Sequence, residues 1–386
     1  MPKSFMELSN ERKLVLLCSR GNLSQDHKEQ IIKILNGWVD WKEVVYQGVT
    51  HRTLNLIYYH IKQLGYISKV EKEVLKLMEN ESKVYALRNK TSFAEIQTVF
   101  EELNRQNIRV AILKGNYLAA NVYPSIETRT FNDIDFLIDV KDSSKIVNIL
   151  NELGYIQGEC IDDIKIVQYN RKQNMHHQMT THELAPCFKK TDNPFHPVVQ
   201  IDLNYSILWK GNCPCEINTA ELLERAIQVD INGAKVYRLA NEDFLIQLAC
   251  HLYKEATILS WVTNLRDLQI YKFTDIAIFV ERNFEFIKWE DLVEFCKRTK
   301  CEKIVYYSFY YVNMMFGDII PNGVMQELKP DDLTYLDEYG IENEKPSKWD
   351  SDFFTRLFET NRILQLTDEE LYKRNNFYSV KESLGN

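Results

Sequence analysis

Asn132-Asp133-Ile134-Asp135-Phe136-Leu137-Ile138-Asp139 is the stretch from which the fold is read. Its alternation predicts a strand with Ile134, Phe136 and Ile138 on one face and Asp133 and Asp135 on the other. Carboxylates at i and i+2 of a strand stand roughly 6 to 7 Å apart at the backbone, so both can reach one or two hard cations such as Mg²⁺ or Mn²⁺. Residues 197–207 alternate in the same way, with Val199, Ile201 and Leu203 opposed to Gln200, Asp202 and Asn204. A second strand of the same sheet would bring Asp202 to the pair as a third carboxylate, placed also to accept a proton from an acceptor hydroxyl. Asp139 lies at the end of the first strand and reads as a cap of the next helix.

Upstream, residues 93–103 carry Phe93, Ile96, Phe100 and Leu103 on one helical face, and residues 108–113 form a short apolar strand. That strand runs into Leu113-Lys114-Gly115-Asn116, a strand-turn-helix. Such a turn suits phosphate: Gly115 lets the backbone come close, Gly115 and Asn116 offer N–H groups at a helix start, and Lys114 adds a cation. Residues 116–122 read as a short helix closed by Tyr123-Pro124. Arg129, four residues before Asp133, is a candidate phosphate clamp, with pairing to Asp133 or Asp135 as its alternative.

The pattern divides the chain into three regions. Residues 1–90 read as a helical N-terminal region, residues 91–211 as the core that carries the carboxylates, and residues 212–386 as a helical C-terminal region. Helices are expected over 141–153, 221–226, 242–256, 265–281, 289–298 and 303–316, while 155–197 is irregular. Tyr306, Tyr307 and Phe309 to Tyr311 read as packing residues rather than a base-stacking platform.

Of the 386 residues, 47 are Lys or Arg and 55 are Asp or Glu, a formal charge of −8. That balance disfavours a sequence-independent nucleic-acid binder, leaves room for a local basic groove, and favours a small or discrete acceptor. The eight cysteines show no disulfide rhythm, and no stretch has the length of a signal peptide core or a membrane span. A cytoplasmic protein with reduced thiols and no membrane partner is the expectation. His176, His177, His182, Glu183, Cys187, His196, Cys213 and Cys215 invite a zinc site, but their spacing fits no familiar zinc motif. Surface histidines, or a loop over the acceptor site in which His177 and His182 line a pocket, are the preferred reading.

The order strand, Gly115, short helix, Asp133-x-Asp135 strand, later strand with Asp202 resembles the DNA-polymerase-β-like nucleotidyltransferase superfamily. Leu113-Lys114-Gly115, Tyr123-Pro124, Arg129 and Asn132-Asp133-Ile134-Asp135 look more specifically like a bacterial branch of largely uncharacterised nucleotidyltransferases, often encoded near biosynthetic genes. Asp40-Trp41 before the core resembles that branch too, as do Leu248-Ala249-Cys250-His251, Phe273-Thr274-Asp275-Ile276-Ala277 and Trp289-Glu290-Asp291-Leu292 after it, so the similarity spans about residues 30 to 315. The resemblance implies an α+β fold: a small mixed β-sheet palm flanked by helical N- and C-terminal regions. It implies Mg²⁺-dependent, or Mn²⁺-dependent, transfer of a nucleoside monophosphate from an NTP, ATP by prevalence, to an acceptor hydroxyl or phosphate. The acceptor would be a small molecule or a biosynthetic peptide, with a tRNA- or protein-modifying toxin and an inactive scaffold as the alternatives. Two positions depart from the pattern. The usual Gly-Ser or Gly-Gly pair is Gly115-Asn116, eighteen residues before Asp133, and Asp202-Leu203-Asn204 stands where relatives carry Glu-Leu-His.

Overall fold

A computed structural model describes residues 5–162, 164–211, 213–368 and 370–371. The expected helical C-terminal region therefore lies partly outside the described residues, from 372 onward. The chain divides into two compact units, one of residues 76–248 and 278–299 and the other of 1–75, 249–277 and 300–386.

The first unit is built on an eight-stranded mixed sheet, which bears out the α+β expectation. Its strands are β1 (Ala111–Ile112), β2 (Asp133–Leu137), β3 (Ile156–Ile161), β4 (Lys165–Gln168), β5 (Cys187–Lys190), β6 (Val198–Asn204), β7 (Ile227–Ile231) and β8 (Ala234–Arg238). They lie in the order β4-β3-β5-β6-β2-β1-β8-β7. β2 runs parallel to β6, β1 runs parallel to β8, and the remaining neighbours are antiparallel. Alternation decides the faces: Ile134, Phe136, Val199, Ile201 and Leu203 are all buried. Against Phe136 packs Phe100, edge to face with ring centres 5.3 Å apart. Phe100 shares the long helix Lys72–Arg105 with buried Phe93, Ile96 and Leu103, the stripe anticipated from the sequence, and Val99 is buried beside them.

Two parts of this sheet differ from expectation. Residues 227–238, which the sequence reading leaves within a helical region, form the β7–β8 hairpin. Its turn is Asn232-Gly233 with φ of +52° and +91°, the left-handed pair that a two-residue hairpin turn requires. Within the irregular 155–197 segment, β3, β4 and β5 extend the sheet beyond β6, because Cys187 to Lys190 pair with Val198 to Ile201. Asp139 behaves as anticipated, its carboxylate accepting the Lys141 N–H at 3.0 Å to start the turn Val140–Asp142.

The second unit is mainly helical, although Glu338–Tyr339 and Ser347–Lys348, expected within a helical region, pair as a short antiparallel sheet. Asn10–Cys18, Gln25–Leu35, Trp41–Thr50, Leu54–Gln63 and Glu302–Phe316 supply its core, including buried Tyr306, Tyr307, Phe309 and Tyr311. Charges are buried there in pairs. Arg362 donates to Asp267 at 2.6 Å, and Lys272 pairs with Glu255. His51 is buried as well, and desolvation, aided by the Arg362 charge, pushes its imidazole down to about 3. The unfolded chain titrates this group near its ordinary value of about 6.5, so below that pH the unfolded state binds the extra proton. Stability is expected to fall as pH drops from about 6.5 toward 3, with a flatter profile for His51→Gln in thermal melts across that range.

Among the described residues no helix is long and apolar enough to cross a membrane. The eight cysteines are thiols.

Candidate active site

Backbone register assembles the carboxylates. β2 and β6 pair in parallel with Asp135 opposite Asp202 and Asp133 opposite Gln200, so Asp133, Asp135 and Asp202 share the sheet face turned away from Phe136 and Phe100. β1 pairs antiparallel with β2, and the Leu113 N–H donates to the Asp135 carbonyl at 2.9 Å. The chain therefore leaves β1 beside Asp135. Lys114 turns with φ of +45° and Lys114–Tyr117 makes a short helical turn, continued by Leu118–Val122.

The expected phosphate residues adjoin the carboxylates. Lys114 Nζ lies 2.9 Å from Asp135 Oδ1. Asn116 is buried to 1% exposure, and neither its Oδ1 nor its Nδ2 has a hydrogen-bond partner among the described residues. An unmade amide of this kind costs about 1–3 kcal/mol in a protein interior, so its presence needs a reason. Near-isosteric Asn116→Leu is expected to raise stability by about 1 kcal/mol while weakening nucleotide binding, a pair of opposite effects that melts and titrations would read.

Gly115 and Arg129 make contacts the sequence did not foretell. A Cβ on Gly115 would sit 3.0 Å from Phe131 Cβ and 3.7 Å from Arg129 Nη2, so the glycine is required for close packing of the turn on the segment before β2. Left-handed backbone occurs one residue earlier, at Lys114. Arg129 is buried beneath that turn, where its Nη1 donates to the Thr130 carbonyl and its own carbonyl accepts from Asn89 Nδ2 at 3.1 Å. It thus lies against the turn as part of its support.

Several neighbours were not singled out as site residues. Gln200 Nε2 donates to both Asp202 oxygens at 2.8 and 3.0 Å, and Asn204 Nδ2 reaches Asp135 Oδ1 at 3.4 Å. Glu183 bridges antiparallel to Asn204, which turns it toward the same face, and its Oε1 is 3.9 Å from His177 Nε2. Arg88 reaches Asn132 Oδ1 at 3.4 Å, next to Asp133. From the suspected zinc ligands, His196 is buried against Ser92, its Nε2 3.2 Å from the hydroxyl, and burial with the Arg88 charge pushes it down to about 4.

Electrostatically the face is short of positive charge. Burial, then Asp133, Asp135 and Glu183, push the Asp202 carboxyl well above the usual carboxylate range, against a smaller opposing effect of the Gln200 amide. Among the described residues no three His, Cys, Asp or Glu side chains converge closely enough to hold an ion as they stand. Asp135 is held by Lys114 and Asp202 by Gln200. The donor set nonetheless suits a hard divalent cation in kind: carboxylates on one sheet face that repel one another and already draw in one cationic side chain.

A family described as uncharacterised nucleotidyltransferase matches residues 38–317. The chain belongs to that family. Among solved structures, an antigenic nucleotidyltransferase-like protein from Paracoccidioides brasiliensis is similar at 16% identity, over 54% of this chain and 93% of that one, with a TM-score of 0.25. No curated protein matches. The chemistry of this nucleotidyltransferase-family chain is therefore read from its family and from the carboxylate face itself.

Proposed function

We propose that the chain is an enzyme that transfers a nucleoside monophosphate from an NTP, ATP first, to a hydroxyl or phosphate of an acceptor, releasing pyrophosphate. The observation that carries this reading is the register that sets Asp135 opposite Asp202 with Asp133 two residues away, beside the turn of Lys114, Gly115 and Asn116. Asp133, Asp135 and Asp202 would hold Mg²⁺ or Mn²⁺, which when bound supplies charge neutralisation for phosphoryl transfer. Lys114, the turn N–H groups and the Asn116 amide would bind the phosphates, with Arg129 bracing the turn from beneath. Asp202, whose carboxyl is raised above the usual carboxylate range by burial and its acidic neighbours, would take the proton of the acceptor hydroxyl. A small molecule or a biosynthetic peptide is the acceptor class that the net charge of −8 favours.

Calorimetric titration of ATP, GTP, CTP and UTP with Mg²⁺ tests the proposal. Wild type is expected to bind at least one of them, and the Asp133→Ala/Asp135→Ala variant none. Folded wild type that binds no nucleotide would sink the proposal and favour a binding or scaffold role on the same fold.

A further inference from the structure

Lys114 is in an unusual position for a lysine. Its backbone occupies the left-handed region at φ +45°, which is strained for a residue other than glycine. The glycine that would relax this strain is one place further along, at Gly115, where the close approach of Phe131 demands it. A strained backbone under a long cationic side chain points to use of that side chain. Its ammonium, only partly exposed, sits 2.9 Å from Asp135 Oδ1, on the very carboxylate that register pairs with Asp202. Next but one in the turn comes Asn116, with its buried and unpartnered amide.

We propose that Lys114 is a place-holder cation: it neutralises Asp135 until a divalent ion takes that carboxylate, and the released ammonium then serves the phosphates of the nucleotide at the same turn. The inference rests on the reading of Asp133, Asp135 and Asp202 as metal ligands. Its physical basis is competition. Three crowded carboxylates favour any cation, a divalent ion neutralises them better than one ammonium, and both cannot share the same Asp135 oxygen. A lysine on a flexible four-carbon stem can change partner without movement of the backbone. Metal binding alone must work against the Lys114–Asp135 pair, so it is weak without nucleotide. Nucleotide alone finds Lys114 engaged, so metal and nucleotide bind with positive coupling, each raising the affinity for the other by the same factor.

The test uses the full chain and Mn²⁺ without nucleotide. Amine labelling by acetic anhydride, read at the Lys114 peptide by mass spectrometry, is expected to be slow in the metal-free protein, to rise several-fold on Mn²⁺ saturation, and to fall again when a non-hydrolysable ATP analogue is added. In parallel, Lys114→Met is expected to bind Mn²⁺ about tenfold more tightly than wild type, because one charge-assisted bond no longer competes. The same variant should lose the coupling between Mn²⁺ and nucleotide. Saturating Mn²⁺ binding, dependent on Asp133 and Asp135, with Lys114 labelling unchanged would overturn the place-holder and leave the metal site standing. Wild type that binds no Mn²⁺ would overturn the metal reading and this inference with it. Labelling on wild type keeps the question answerable if the variant fails to fold.

Discussion

The Asp202→Asn variant is expected to melt a few degrees above wild type at pH 7 and to lose metal-dependent nucleotide binding. Asp202 is half-buried and crowded by Asp133, Asp135 and Glu183, and desolvation with these charges raises its carboxyl above the ordinary range. Between the unfolded value of about 3.9 and that raised value, the folded state holds a proton that the unfolded state has released. Stability therefore falls as pH rises through this window, and the penalty grows toward its upper end. Asparagine keeps the shape and an acceptor for Gln200 Nε2 but carries no charge. Removing the charge therefore removes that penalty, which melts read as a rise of a few degrees for a chain of this size. Comparing wild-type and variant melts between pH 4 and 8 cancels contributions common to both, such as that of His51. Curves that meet near pH 4 and separate toward pH 8 are expected. A variant less stable than wild type at pH 7, or one that binds nucleotide with metal as well as wild type does, would show that Asp202 is held for another purpose.

Arg362→Met is expected to destabilise the helical unit by about 3–5 kcal/mol. The guanidinium is buried and donates to Asp267 Oδ1 at 2.6 Å and to the Arg356 and Glu359 carbonyls at 2.6 and 2.9 Å. Asp267 is wholly buried, and its other oxygen, Oδ2, has no hydrogen-bond partner among the described residues. Removing the arginine therefore leaves a carboxylate without the counter-charge bonded to it, which costs more than the pair itself contributes. Replacing both partners, as Arg362→Met/Asp267→Leu, is expected to recover most of the loss, since neither member of the pair then leaves the other's charge behind. Urea denaturation of the two variants separates these cases: a double variant as unstable as the single one would place the cost in the lost carbonyl bonds instead.

The carboxylate face was legible in the sequence because strand alternation is a strong local signal, and Asp133, Asp135 and Asp202 were assigned to one face without knowing the register. What alternation could not supply was the pairing, Asp135 with Asp202 rather than Asp133 with Asp202. Glu183 was missed as a carboxylate of this face for a different reason: it lies outside any regular element, and only its bridge to Asn204 turns it inward. The hairpin at 227–238 was readable, since Asn232-Gly233 between alternating runs is a hairpin signal, but the helices around it dominated the reading. Gly115 shows what a local motif cannot supply. Its place in the turn was anticipated, yet the contact that forbids a side chain comes from Phe131, a residue sixteen positions away whose approach is a tertiary event.

Diffraction from crystals grown with Mn²⁺ and a non-hydrolysable ATP analogue tests the central claim most directly. An anomalous peak within coordination distance of Asp133, Asp135 and Asp202, with the triphosphate against the Lys114 to Asn116 turn, is the expected result. Bound analogue whose metal and phosphates lie away from these carboxylates, or protein that takes up neither, would contradict it.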